Sequence, residues 1–126
     1  MEYLFVGVGG IVGAITRYGI SRWTGQRWSG EFPLATFIIN STGSFVLGFL
    51  YICFSTGTNL FFLKDLTTIG FLGAYTTYST FSFEIINLLE DKDTKVAITY
   101  FSLSIVLGLI LAFFGMSLAQ YLLGVL

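Results

Sequence analysis

Hydroxyl side chains crowd one short stretch, GFLGAYTTYSTFSFE at 70–84, where Thr76, Thr77, Ser79, Thr80 and Ser82 are interleaved with aromatic rings and follow Gly70 and Gly73. A hydroxyl offers a donor and acceptor lone pairs, and the edge of an aromatic ring is electropositive. Together they can face a small anion without a formal charge that would trap it. Tyr78 and Phe81, three residues apart, lie on one side of a helix, where the competing reading is ordinary packing. The glycines loosen a helix, and clustered hydroxyls can re-satisfy backbone groups freed at a break, so the stretch reads as a discontinuous segment. In a membrane, irregular backbone survives only when buried in protein or lining a cavity. Unwound carbonyls there can coordinate a cation, while amides and hydroxyls can face an anion. Glu84 follows Thr80 by one turn at the end of the stretch, as a vestibule carboxylate or a boundary marker.

Three other segments place polar groups among apolar ones. Thr36, Asn40, Ser44 and Gly48 succeed one another at four-residue steps, and Asn40 is the expensive member because its carboxamide needs partners away from water. Those partners are either a neighbouring helix or an aqueous path. Tyr100, Ser104, Gly108 and Ala112 repeat the arrangement, suggesting that several helices turn small and hydroxylated faces toward a shared line. Gly9, Gly13 and Arg17 share a third face, with Gly10 and Ala14 beside it. The glycines suit close helix packing. Arg17 is either a functional charge facing protein or water, or an interfacial side chain snorkelling to the surface.

The elements that must carry these residues follow from composition. The chain has 126 residues, 10% of them charged, and a mean hydropathy of +0.84, outside the range of soluble globular chains. Uncharged runs at 32–63 and 96–126 are long enough to span a bilayer. The run 66–83 reaches roughly 27 Å as helix, and 3–16 extends to Ile20 if Arg17 lies inside the span. The expected fold is all-α, a single four-helix transmembrane domain over 1–126 with helices at about 3–21, 33–55, 65–89 and 96–124, the third broken. Pro33 suits a first helical position. The N-terminal run has no basic residue before it and carries Arg17, so it is not expected to be a cleaved signal peptide. Arg22, Arg27, Lys92 and Lys95 outnumber Lys64 across the two sides, which favours both termini outside.

Cys53 is alone and histidine is absent, which argues against a disulfide, a zinc site or a histidine proton relay. No nucleophile and base pair or phosphate-binding loop appears, and GVGGIVGA has no strand before it, so an enzyme is not expected.

Taken together, GGIVGAITRY at 9–18, PLATFIINSTGSFVLGFL at 33–50 and GFLGAYTTYSTFSFE at 70–84 resemble the CrcB, or Fluc, family of small fluoride channels. The resemblance covers nearly the whole chain; the fourth helix and the loops are less diagnostic. It implies passive, fluoride-selective export that relieves fluoride toxicity, in the cell (inner) membrane of a bacterium. It further implies an antiparallel, dual-topology dimer with two fluoride pathways and a structural Na+ at the dimer interface. By position, Asn40 becomes a pore-lining donor, and Tyr78 and Phe81 an aromatic pair whose edges face fluoride. Ser79, Thr80, Ser104 and Tyr100 become the hydroxyl track, the last two as weaker matches. Gly73 and Thr76 become the backbone carbonyls that hold sodium, with Arg17 and Glu84 at the vestibule. The family usually carries phenylalanine where this chain has Tyr78, which adds a hydroxyl to a ring-edge contact.

Two rival classes make different demands. A small multidrug or guanidinium exporter needs a membrane-embedded carboxylate in an early helix, and Glu2 lies too near the terminus. A non-transporting scaffold predicts that Asn40 and the third-helix hydroxyls are dispensable. The loop-charge bias also keeps open a heterodimer with an oppositely oriented paralogue beside the homodimer.

Overall fold

The computed structural model describes residues 2–56 and 61–124, and every regular element among them is helical. Helix α1 spans Glu2–Gly25 and α2 spans Leu34–Ser55. A third run begins with α3 (Phe61–Lys64), widens into a π-helical segment at Asp65–Leu72, and closes with a short turn, α4 (Gly73–Tyr75). After two extended residues the chain resumes as α5 (Tyr78–Glu90), and α6 spans Thr94–Leu123. Pro33 stands one residue before the first helical position of α2, where its carbonyl accepts from the Phe37 amide at 3.1 Å. Gly124 ends α6 with φ of 65°, a left-handed cap that glycine adopts without a side-chain clash.

Three helices, Tyr3–Gly25, Leu34–Ser55 and Thr94–Leu123, are long and apolar enough to cross a membrane, with window mean hydropathies of 1.4, 1.7 and 2.3. Few of their side chains are buried within the subunit, as expected where lipid or a partner replaces water.

The helices pair through their small residues. A Cβ on Gly48 would strike the Ala112 carbonyl, and one on Gly115 would lie 2.9 Å from the Phe49 amide nitrogen and strike the Phe45 carbonyl. Ser44 faces Gly108 as Gly48 faces Ala112, a step of four in the same direction along both helices, so α2 and α6 run parallel at backbone-limited distance. The same holds for α1 and the third run: Gly9 meets Leu66 and Phe71, Gly13 meets Phe71, and Gly70 meets Val6 and Gly9. In the π-helical segment Thr67 and Thr68 each donate to the carbonyl four residues back, Leu63 and Lys64, at 2.6 Å, a side-chain competition that accompanies irregular helix.

Two small apolar clusters hold the pairs together. One gathers Ile39, Leu72 and Tyr75; the other gathers Leu88, Ala97 and Tyr100. The subunit exposes 8222 Å². A compact soluble monomer of its mass would expose about 6,700 Å².

Candidate functional site

The site is built where the third run loses its helix. Thr76 (φ −76°, ψ 158°) and Thr77 (φ −147°, ψ 117°) are extended. Such a step strands backbone groups, and side chains take over their bonds. Asn40 of α2 does most of this. Its Nδ2 donates to the Thr77 carbonyl at 3.0 Å and its Oδ1 accepts from the Thr77 amide at 2.9 Å, so the carboxamide pairs with the Thr77 backbone as a second peptide would. One Nδ2 proton is left over.

Thr77 is also the N-cap of α5: its Oγ1 accepts from the Thr80 amide at 3.2 Å and donates to Thr80 Oγ1 at 2.9 Å, with Ser79 Oγ at 3.4 Å. Two consequences follow for the carbonyls before the break. In a continuous helix the Thr77 amide would donate to the Gly73 carbonyl and the Thr80 amide to the Thr76 carbonyl. Both donors are instead diverted to side chains, and the Gly73 and Thr76 carbonyls are free of their helical partners. The break is docked on α2 by close approach, since a Cβ on Gly43 would strike the Thr76 methyl, and by a bond of 2.7 Å between Thr42 Oγ1 and Tyr75 Oη. Tyr75 in turn stacks on Phe71 with ring centroids 5.4 Å apart.

Two open grooves flank Asn40. One, of about 620 Å³, is lined by Asn40, Tyr78, Phe81, Ser82, Ser104 and Ile105, among others. The second, of about 410 Å³, shares Asn40, Tyr78 and Phe81 with the first and adds Ser44, Thr68, Gly73, Thr76 and Thr77. Tyr78 and Phe81 do share a side, with centroids 6.4 Å apart. Tyr78 is 82% exposed, whereas Phe81 is wedged against Tyr100 at 5.1 Å and Phe101 at 6.2 Å. Ser104 Oγ is buried and, among the described residues, has no hydrogen-bond partner. That orphaned hydroxyl beside the ring pair is a donor waiting for an acceptor.

The remaining expected residues sit elsewhere. Ser79 and Thr80 gather around Thr77 on the first turn of α5, and Ser82 takes the groove position that neither fills. Counting in fours from Tyr78 reaches Ser82, a signal the chain does offer. Tyr100 is fully buried and donates to Glu84 Oε2 at 2.8 Å, while Thr36 donates to Glu84 Oε1 at 2.8 Å. Glu84 thus has both oxygens engaged between α2 and α6. Thr36, which the sequence marks only as part of the α2 stripe, is a member of this arrangement. Arg17 lies on α1, outside both grooves, with no described hydrogen-bond or ion-pair partner. No group of three His, Cys, Asp or Glu suited to a metal ion occurs among the described residues.

Comparison with known proteins sets this geometry in context. The family model described as CrcB-like protein, Camphor Resistance (CrcB), matches residues 4–116. The chain is 44% identical over 118 residues to a fluoride-specific ion channel, FluC 2, of Bacillus cereus, covering 94% of this chain and 97% of that protein. It is also 44% identical to FluC 1 of Listeria innocua over the same shares. Against FluC 2 of Clostridium acetobutylicum it is 42% identical, over 95% of this chain and 99% of the relative.

Proposed function

The chain belongs to the CrcB-like family, and from that membership we infer that it is a fluoride-specific ion channel and that the grooves at Asn40 belong to its pathway. It is a multi-pass membrane protein and a channel, not an enzyme.

The observation that supports the pathway is the buried, unpartnered Ser104 hydroxyl in a groove shared with Asn40, Tyr78 and Phe81. Fluoride holds its water tightly, so a pore must replace that water with donors. The spare Nδ2 proton of Asn40, the Ser104 and Ser82 hydroxyls and the polarised edge of Phe81 offer several moderate interactions in sequence, which lets the ion leave as readily as it enters. Tyr78 adds either a ring edge or its phenol at the groove mouth. Larger halides fit such a bore poorly. Movement is passive, down the fluoride gradient, and serves to relieve fluoride toxicity at the cell (inner) membrane.

The third run with α5 is read as the fourth, discontinuous crossing, its break lying at membrane depth. The Gly73 and Thr76 carbonyls, relieved of their helical donors, suit a hard monovalent cation, and these two residues would hold a structural Na+ at the dimer interface. The ion would neutralise converging carbonyl dipoles. The assembly proposed is an antiparallel homodimer, in which a second copy covers part of the unusually large exposed surface. Arg17 and Glu84 remain vestibule residues in this reading, Glu84 acting through Thr36 and Tyr100.

The test is fluoride efflux from liposomes holding the purified protein alone, followed with a fluoride electrode and repeated with chloride. Rapid fluoride release without chloride release is expected. Equal release of both ions, or none from a folded sample, would overturn the reading.

A further inference from the structure

One exposed face of α1 plays no part in the site. Ile11, Ile15, Tyr18 and Arg22 succeed one another at steps of four, three and four residues, so they form a single stripe along the helix, and the first three are each more than half exposed. The stripe is apolar first, then phenolic, then cationic. Its length from Ile11 to Arg22 is roughly 17 Å at helical rise. Half of a bilayer's hydrocarbon core is about 15 Å.

The charged end is ordered by its own aromatic neighbours. Arg22 Nη1 donates to Tyr18 Oη at 3.2 Å, and the Arg27 guanidinium lies 4.7 Å from the centroid of the Trp23 ring. Among the described residues neither arginine has an ion-pair partner, although Glu31 and Asp91 line a cavity at the same end of the molecule. A guanidinium fixed by an aromatic ring and left without a carboxylate keeps donors for an oxyanion of tetrahedral or planar shape. Trp23 and Trp28 are exposed beside it, the residue type that settles at the headgroup level.

We propose that this face of α1 binds an anionic phospholipid, with the headgroup phosphate on Arg22 and Arg27 and an acyl chain along Ile15 and Ile11. The complementarity is of charge at one end and of length and polarity along the rest. It does not depend on the fluoride reading.

The chain's two tryptophans both lie at this end, so its intrinsic fluorescence reports on the site. The full-length protein is placed in phosphatidylcholine vesicles containing a small fraction of lipid brominated near the headgroup end of its chains, either phosphatidylglycerol or phosphatidylcholine. Stronger quenching by the brominated anionic lipid is expected, with a preference on the order of fivefold per arginine. Arg22→Gln with Arg27→Gln should remove that preference. Equal quenching by the two lipids in the unaltered protein would overturn the proposal without reference to any variant. A preference that survives the double substitution would also overturn it, as would one abolished by millimolar inorganic phosphate, which would mark a free-anion site. Absence of quenching by either lipid would mean that a second copy covers the face. Because the readout is fluorescence, none of these results bears on fluoride conduction.

Discussion

Asn40 and Ser104 line one groove but contribute to folding in opposite ways. Asn40 pairs both polar groups of the Thr77 backbone, so Asn40→Leu strands a part-buried amide and carbonyl. Since both groups are part-buried, the variant should lose about 1–3 kcal/mol of stability in all along with its efflux, as read by thermal unfolding in detergent beside the liposome assay. Ser104 Oγ bonds nothing among the described residues. Ser104→Ala should therefore leave the melting temperature in place while lowering fluoride efflux by roughly tenfold or more, the share of a hydrogen bond to a charged acceptor. Unchanged efflux in a folded Ser104→Ala protein would remove this hydroxyl from the pathway. Tyr78 makes no hydrogen bond among the described residues and is largely exposed, so Tyr78→Phe should keep both folding and efflux. The sequence marks Asn40 as a carboxamide in need of a partner, because no apolar helix tolerates one unpaired. It does not name the partner, because Thr77 answers with main-chain atoms that every residue possesses.

At the scale of the helix, glycine spacing separates contact from open lipid-facing surface only with the structure in view. Gly48 and Gly115 admit the backbone of the facing helix, whereas a Cβ on Gly7 or Gly19 would meet nothing within 4 Å. Gly48→Leu should wedge α2 from α6 and lower stability by about 1–3 kcal/mol or more, while Gly19→Leu should be close to neutral in the same unfolding experiment. The α2 stripe of Thr36, Asn40, Ser44 and Gly48 and the α6 stripe of Tyr100, Ser104, Gly108 and Ala112 were legible as faces from their four-residue spacing, and the structure sets them against each other. Their division of labour was not legible. Tyr100 turns to Glu84 because the carboxylate arrives from α5, an element whose rotation is set by the two extended residues before it. A helical count carried across Thr76 and Thr77 loses its phase there. The π-helical segment at Asp65–Leu72 was hidden for a similar reason, since its wider turn leaves no apolar period of its own in eight residues.

For the whole molecule, the governing quantity is surface left uncovered. With 8222 Å² exposed and only small clusters inside, most of the apolar area is left to be covered from outside, by acyl chains and, in the assembly proposed above, by a second copy. If that copy is inverted, topology reporters fused to the chain expressed alone should be active on both sides of the membrane. Reporters active on one side only would point to an oppositely oriented paralogue, as the excess of Arg22, Arg27, Lys92 and Lys95 over Lys64 suggests. Within the subunit, the Asn40 carboxamide ties the pair α2 and α6 to the pair α1 and third run, and it grips main-chain atoms. Position 77 therefore owes its identity to the Thr80 amide it caps and nothing to Asn40. Mutational drift at 77 among capping residues would leave no compensating change at 40. A search for co-varying positions would pass over a joint between the two halves of the subunit.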